Sequence, residues 1–387
     1  MKLMRPAWIE IDLDKLVHNM NSIRNMIADR TKILSVIKAD AYSLGASEIA
    51  TTFSALGIRN FAVASGNEAL ALRRDHPDIE ILVLGYTPED LYDEMIENHI
   101  DMALYRVDVA ERLNELAKIS GTKAGVHIAI DSGMNRIGFK PTEESIDLIE
   151  AICKMEGIEV KGMFTHFAKA DDDPEFTETQ YERFEFVVEG LAARGIRLPR
   201  HVSNSHAILK ERKYDLEYVR PGIIQYGTAE GDPAAEAYDF RFVASVKARI
   251  GHVKTVGAGE GVSYGQIYVT EKETKIATLP IGYADGIERS LSQKIDVLVS
   301  GKRCPQIGKI CMDQMMVDVT GVDCKIGDEV VLLGKQGDEE ITIEEIAAAN
   351  NEIPTSFLTH FKMRLPRVYL RDGKIVHIID QVLGTRD

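Results

Sequence analysis

The chain has 387 residues, 45% of them hydrophobic and 28% charged, with a formal net charge of -15 at neutral pH. This is ordinary globular composition, and the strong negative charge excludes nucleic acid and anionic membrane as default partners. No segment reaches the ~18 apolar residues of a membrane span, and "MKLMRPAWIEIDL" lacks the apolar stretch of a secretory leader. Cys153, Cys304, Cys311 and Cys324 have no CxxC spacing, so they read as reduced thiols in a cytoplasmic protein.

In chain order, "AWIEIDL" reads as a strand and "DKLVHNMNSIRNMIADR" as a helix. The strand "KILSVIKA", the helix "GASEIATTFSALG", the strand "NFAVAS" and the helix "GNEALALRRDH" follow. The alternation continues through "IEILVLGY", "PEDLYDEMIEN", "DMALYR", "VDVAERLNELAKIS", "AGVHIAID", "TEESIDLIEAICKM", "VKGMFTHF" and "TQYERFEFVVEGLAARG", and closes with "PRHVSNS" and "YVRPGIIQYG". Short connections between alternating strands and helices imply parallel βαβ units. Roughly eight units predict a TIM-type (β/α)8 barrel over residues 1–240. A doubly wound open sheet is the alternative, but no glycine fingerprint follows the first strand. From Arg241 the pattern turns β-rich and turn-punctuated, which predicts a mostly β domain over 241–387. Only "TIEEIAAANN" reads there as a helix, with Thr342 and Glu345 spaced as a capping box.

Function in a parallel barrel sits at the C-terminal ends of the strands. Those positions hold Lys38, Arg136, His166, Asn204 with Ser205, and Arg220. Each has a plain structural reading: a lysine reaching water, arginines in ion pairs, a hydroxyl capping a helix. Their shared placement favours one site. "GAGEGVSYG" is glycine-rich but opens no helix after a strand. "ADDDPE" reads as a solvated loop, and no His/Cys/Asp cluster has metal-ligand spacing, so no metal is expected.

The motifs "WIEIDLDKLVHN", "VIKADAYSLGA", "DSGMNRIGF", "FTHFAKAD", "VSNSHA", "VRPGIIQYG", "GEGVSYGQIY", "IGYADGIER", "GKICMDQ" and "RLPRVY" occur in that order along nearly the whole chain. In these motifs the sequence resembles the alanine racemases, enzymes with pyridoxal 5'-phosphate as cofactor, an N-terminal barrel and a C-terminal β domain. The resemblance implies that Lys38 holds the cofactor covalently and serves as one catalytic base. Tyr264, from the other subunit of a homodimer, would be the base on the opposite face. Arg220 would bond the pyridine nitrogen, and His166 would link Arg220 to Tyr264. Tyr42, Ser205 and the backbone of Gly222 and Ile223 would hold the phosphate, with Asn204 in the same motif. Arg136 and the backbone of Met312 would bind the carboxylate of a small amino-acid substrate. Asp172, Tyr283, Arg289 and Asp313 match family positions in or near the substrate access channel.

The sequence departs from the family pattern at Asp40, Ser43 and Leu44 beside the lysine. It also has Ala129 where many members carry a lysine, and Thr355 where a tyrosine is usual. The smaller Thr355 raises serine or broad-specificity racemisation as an alternative to alanine racemisation. A fold-related decarboxylase and a non-enzymatic cofactor carrier are the remaining readings.

Overall fold

The computed structural model of the chain describes residues 3–386. They form two compact units. One comprises residues 17–41 and 45–240; the other takes the residues up to Leu16, Tyr42–Leu44, and the chain from Arg241 onward.

The first unit is a closed barrel of eight parallel strands: β2 (Lys32–Val36), β3 (Asn60–Val63), β4 (Glu80–Val83), β5 (Ile100–Leu104), β6 (Ala124–Ala129), β7 (Ile158–Phe164), β8 (Arg200–His201) and β9 (Tyr218–Val219). β2 closes the ring by pairing with β9 at Lys32 with Tyr218 and Ile33 with Val219. Strands covered on both faces need continuous apolar runs, and "ILSV" and "ILV" in β2 and β4 are buried throughout. The surrounding helices have local signals at their ends. The helix Val107–Ser120 spans the residues its periodicity predicts and stops at Gly121, which takes a left-handed φ of 72°. The helix Pro174–Ala193 starts earlier than expected, because Asp173 caps it by accepting from Phe176 N and Pro174 suits the first turn.

One expectation is corrected. The strand Ala7–Asp12, β1, does not open the barrel, whose eight places are filled by later strands. It lies in the sheet of the second unit, antiparallel to β10 (Ala244–Arg249) and parallel to the strand Arg367–Arg371. A closed ring leaves no edge for a ninth strand, whereas β1 has two partners in the open sheet. The barrel unit therefore begins after Leu16 rather than at residue 1.

The second unit is built on a twelve-stranded sheet. A separate two-stranded hairpin, Gly261–Val262 with Tyr268–Val269, projects the turn that carries Tyr264. The helix Ile343–Ala349 has the expected cap, with Thr342 Oγ1 accepting from Glu345 N at 3.1 Å. A short helix, Pro354–Leu358, follows and was not signalled by periodicity. Among the described residues no helix is long and apolar enough to cross a membrane.

Candidate active site

Lys38 stands just past the C-terminal end of β2 and begins a six-residue helical segment, Lys38–Ser43. Five successive non-glycine residues, Ala39 to Ser43, have φ between 51° and 69°. The segment is therefore left-handed, a conformation that costs about 1–2 kcal/mol per residue and needs external support. Glu68 supplies much of it: its carboxylate accepts from Ala39 N at 2.7 Å and from Ala64 N at 2.8 Å. Asp40 accepts from Ala46 N through Oδ1 and from Gly45 N through its carbonyl. Within the second unit, Arg367 Nε donates to Ser43 O and Tyr369 Oη to Leu44 O. Asp40, which departs from the family pattern, is thus a brace of this segment. The amine of Lys38 has no hydrogen bond or ion pair among the described residues. Burial, then the charge of Arg136, holds its pKa below the usual lysine value, against a smaller opposing effect of Glu68.

Arg220 follows β9 and is 3% exposed. Its Nη1 donates to His201 Nδ1 at 2.8 Å and to His201 O at 2.5 Å. Its Nη2 donates to Thr165 O at 2.7 Å and Val202 O at 3.1 Å, with His166 Nδ1 at 3.4 Å. Both terminal nitrogens are thereby occupied, and Nε–H is left without a partner among the described residues. Burial and the nearby Arg136 push the guanidinium down to about 9, so it stays charged at neutral pH. Arginine can only donate. His166 Nδ1 must therefore be an acceptor, with the ring proton on Nε2. Burial, followed by the charges of Arg220, Arg136 and Lys38, keeps His166 neutral.

Arg136 is exposed and has no hydrogen bond or ion pair among the described residues. Its loop is nevertheless fixed. Asp131 Oδ1 accepts from Asn135 N at 2.8 Å, and Oδ2 pairs with Lys140 at 2.7 Å. Ala129, at 1% exposure, packs with Ala103 and Phe164 and offers the arginine nothing polar. The residues expected at the phosphate separate into two kinds. Ser205 Oγ accepts from Gly222 N at 3.0 Å, so its own O–H remains free to donate, beside the backbone of Ile223. Asn204 is engaged otherwise: its Oδ1 caps the helix Ser205–Lys210 by accepting from Ala207 N. Tyr42 is buried, at 6% exposure.

In the second unit Tyr264 is 69% exposed and Met312 is 51% exposed. Both line an open cleft of about 620 Å³, with Ser263, Lys254, Thr278 and Cys311. The Tyr264 turn is strained: Ser263 has φ 65° and ψ −173°, a region used almost only by glycine. Ser263 Oγ anchors it by donating to Lys309 O at 2.7 Å. The Met312 carbonyl accepts from Ala284 N at 3.0 Å, which leaves the Met312 N–H as its available group. Of the access-channel positions, Asp313 pairs with Arg364 at 2.7 Å and Asp172 lies 3.7 Å from Lys169.

Sequence reasoning missed three supports. Glu68 was hidden in an exposed-looking helix start. His201 read as a plain strand residue. Gln180 is fully buried and ties Ser132 to the carbonyl of His166. A charged or amide residue at a buried helical position was the available signal for Gln180.

The barrel mouth therefore presents an unpaired amine, a rigid guanidinium with one donor to spare, and a hydroxyl beside backbone N–H groups. This donor set suits a planar cofactor bearing a carbonyl, a ring-nitrogen acceptor and an anionic tail. Comparisons with known proteins agree. Residues 11–230 match the alanine racemase N-terminal domain and residues 243–369 the alanine racemase C-terminal domain. The alanine racemase of Clostridium tetani is 44% identical over 386 residues, covering 98% of this chain and all of that protein. The structure of the Clostridium difficile alanine racemase superposes with a TM-score of 0.95 at 42% identity, over 98% of this chain and 99% of that one. The Bacillus anthracis alanine racemase, solved with bound L-Ala-P, gives 0.94 at 31% identity over the whole of both chains. On the barrel, the β unit and these full-length matches together, the chain belongs to the alanine racemase family.

Proposed function

We propose that this chain interconverts L- and D-alanine with pyridoxal 5'-phosphate as cofactor, in a homodimer whose partner supplies the second base. The observation that carries this reading is the pairing at one barrel mouth of an unpartnered, pKa-depressed Lys38 with the rigidly held Arg220. Bound there, the cofactor supplies the electron sink that acidifies the substrate Cα–H. Lys38 attaches the cofactor and exchanges the Cα proton on one face. Tyr264, contributed by the second copy, does so on the other face. One base per face allows inversion without turning the substrate.

Arg220 would offer Nε–H to the ring nitrogen and keep its own proton, because it stays charged at neutral pH. A donor that keeps its proton would leave the ring nitrogen unprotonated, which would limit side reactions such as transamination. His166, with its proton on Nε2, donates toward the tyrosine base. Ser205, Tyr42 and the backbone at Gly222 and Ile223 hold the phosphate. Arg136 and the Met312 N–H take the substrate carboxylate. A decarboxylase would favour a carboxylate at the ring nitrogen. Arg220, the residue proposed for that place, has no carboxylate partner among the described residues.

The test is direct. Borohydride treatment of the purified protein should fix the cofactor's mass on the peptide that contains Lys38. Chiral chromatography should show L-alanine becoming a racemate with Cα deuterium uptake from D2O and no CO2 release. CO2 release, or deuterium uptake by neither enantiomer, would refute the reading.

A further inference from the structure

The partners of Arg220 extend far beyond the mouth. Nη1 of Arg220 donates to His201 Nδ1, so that nitrogen carries no proton. The neutral His201 ring must then hold its proton on Nε2, which lies 2.8 Å from His127 Nδ1. His127 Nδ1 is an acceptor in turn, and the His127 proton sits on Nε2, 3.9 Å from Asp101 Oδ2. Asp101 Oδ1 pairs with Lys161 Nζ at 2.9 Å, and Lys161 lies 3.5 Å from Glu80. Because arginine cannot accept, the two hydrogen bonds of this line point one way, from the guanidinium toward Asp101, whose carboxylate lies 3.9 Å beyond the last ring.

The line is buried and the barrel is shaped around it. His201, His127 and Asp101 are 0%, 7% and 4% exposed. Two glycines clear its path. A Cβ on Gly125 would lie 2.0 Å from Asp101 Oδ1, and one on Gly162 would lie 2.6 Å from His127 Nδ1. The pairing of β6 with β7 shifts register between Val126 and His127, where the line crosses. Burial, with Lys161 and Arg220 nearby, pushes His127 down to about 3, so both rings stay neutral at working pH. The far end opens on a cavity of about 220 Å³ lined by Asp101, His127, Lys161, Glu80 and Tyr218. Glu80 and Tyr218 begin their strands, so this cavity lies at the end of the barrel opposite Lys38.

We propose that His201, His127 and Asp101 are positioning residues for Arg220: two successive hydrogen bonds of one direction, through rings buried against the Lys161-paired carboxylate of Asp101, that hold its Nε–H toward the ring nitrogen. The inference rests on Arg220 as the partner of the cofactor ring.

The test uses the cofactor-loaded enzyme with 15N-labelled histidine, as wild type, Asp101→Asn and His127→Phe. In the wild type, His201 and His127 should both show the Nε2–H tautomer. Asp101→Asn keeps an acceptor but removes the charge. It should shift the visible absorption of the bound cofactor and lower kcat several-fold, with KM changed little. His127→Phe breaks the line; it should release His201 into a mixture of tautomers and lower kcat roughly tenfold or more. An unchanged His201 tautomer and an unchanged cofactor spectrum in both variants would overturn the proposal, whatever their stability. An enzyme without Lys38-bound cofactor would instead sink the functional reading on which it rests.

Discussion

The barrel unit and the β unit contribute to the proposed chemistry in opposite styles. In the barrel each candidate residue arrives with its support: Arg220 is buried and held by carbonyl and imidazole acceptors, and Lys38 leads into a braced left-handed segment. In the β unit Tyr264 and Met312 stand exposed on an open cleft, and only the strained Ser263 is anchored. The difference fits the proposed division: the barrel's residues are fixed within their own unit, whereas Tyr264 is presented outward, as a side chain proposed to serve a second copy would be. A tyrosine at 69% exposure, in the role proposed for it, would be a poor base where it stands, because water screens it.

The comparison can be broken first at Tyr264. Tyr264→Phe should cut racemisation roughly 10²–10⁴-fold. The enantiomers have equal free energies, so kcat/KM must fall equally in both directions. The asymmetry should appear in exchange: Lys38 should still wash solvent deuterium into one enantiomer, recovered without inversion. Deuterium uptake into both enantiomers at similar rates would deny the tyrosine its role.

Arg136 sharpens the barrel side. Its loop is fixed but its guanidinium is unpartnered, which suits a substrate carboxylate. Arg136→Gln should raise KM for alanine about 10–100-fold and lower kcat far less. A collapse of kcat at constant KM would place it in the chemistry instead.

Thr355 tests the β unit's control over size. It lies in the short helix Pro354–Leu358, where the family usually has tyrosine. The wild type should racemise serine or a larger amino acid within about 10³ of its kcat/KM for alanine, and Thr355→Tyr should widen that gap roughly tenfold. Substrate-panel kinetics on both proteins would show it. Alanine preference of 10³ or more in the wild type would end the broad-specificity reading.

The smallest effect concerns the cost of the barrel's built interior. Asp215 is buried with Oδ1 unpartnered, and burial pushes its pKa up to about 6 from 3.8. Between those values the folded state binds more protons than the unfolded one, so its contribution to stability falls as pH rises through that window. Asp215→Asn should remove that slope and add on the order of 1–3 kcal/mol at pH 7 relative to pH 4. Denaturant unfolding at the two pH values measures it, and a variant whose stability tracks the wild type at both would contradict the assignment.

Much of this was legible in the sequence, but unevenly. The helix Val107–Ser120 emerged at its true ends because amphipathic period and a terminal glycine agree. The barrel emerged because buried parallel strands must read as apolar runs. The placement of β1 did not, since a strand's pattern reports burial and not which partner it pairs with. The left-handed turn after Lys38 was unreadable, because no local propensity favours it and its supports, such as Glu68, are distant in sequence. Resemblance named Lys38, Arg220 and Tyr264. His201, His127 and Asp101 lie on separate strands, and only the closed barrel brings them into line.

The most direct test of the central claim is complementation between two inactive variants. Lys38→Ala and Tyr264→Phe proteins are mixed, dissociated and reassembled. If the tyrosine base comes from the second copy, each mixed dimer holds one intact site, and random 1:1 assembly should restore about a quarter of wild-type racemase activity. If Tyr264 serves the lysine of its own chain, no mixed dimer has a complete site, and the mixture will stay as inactive as its parents.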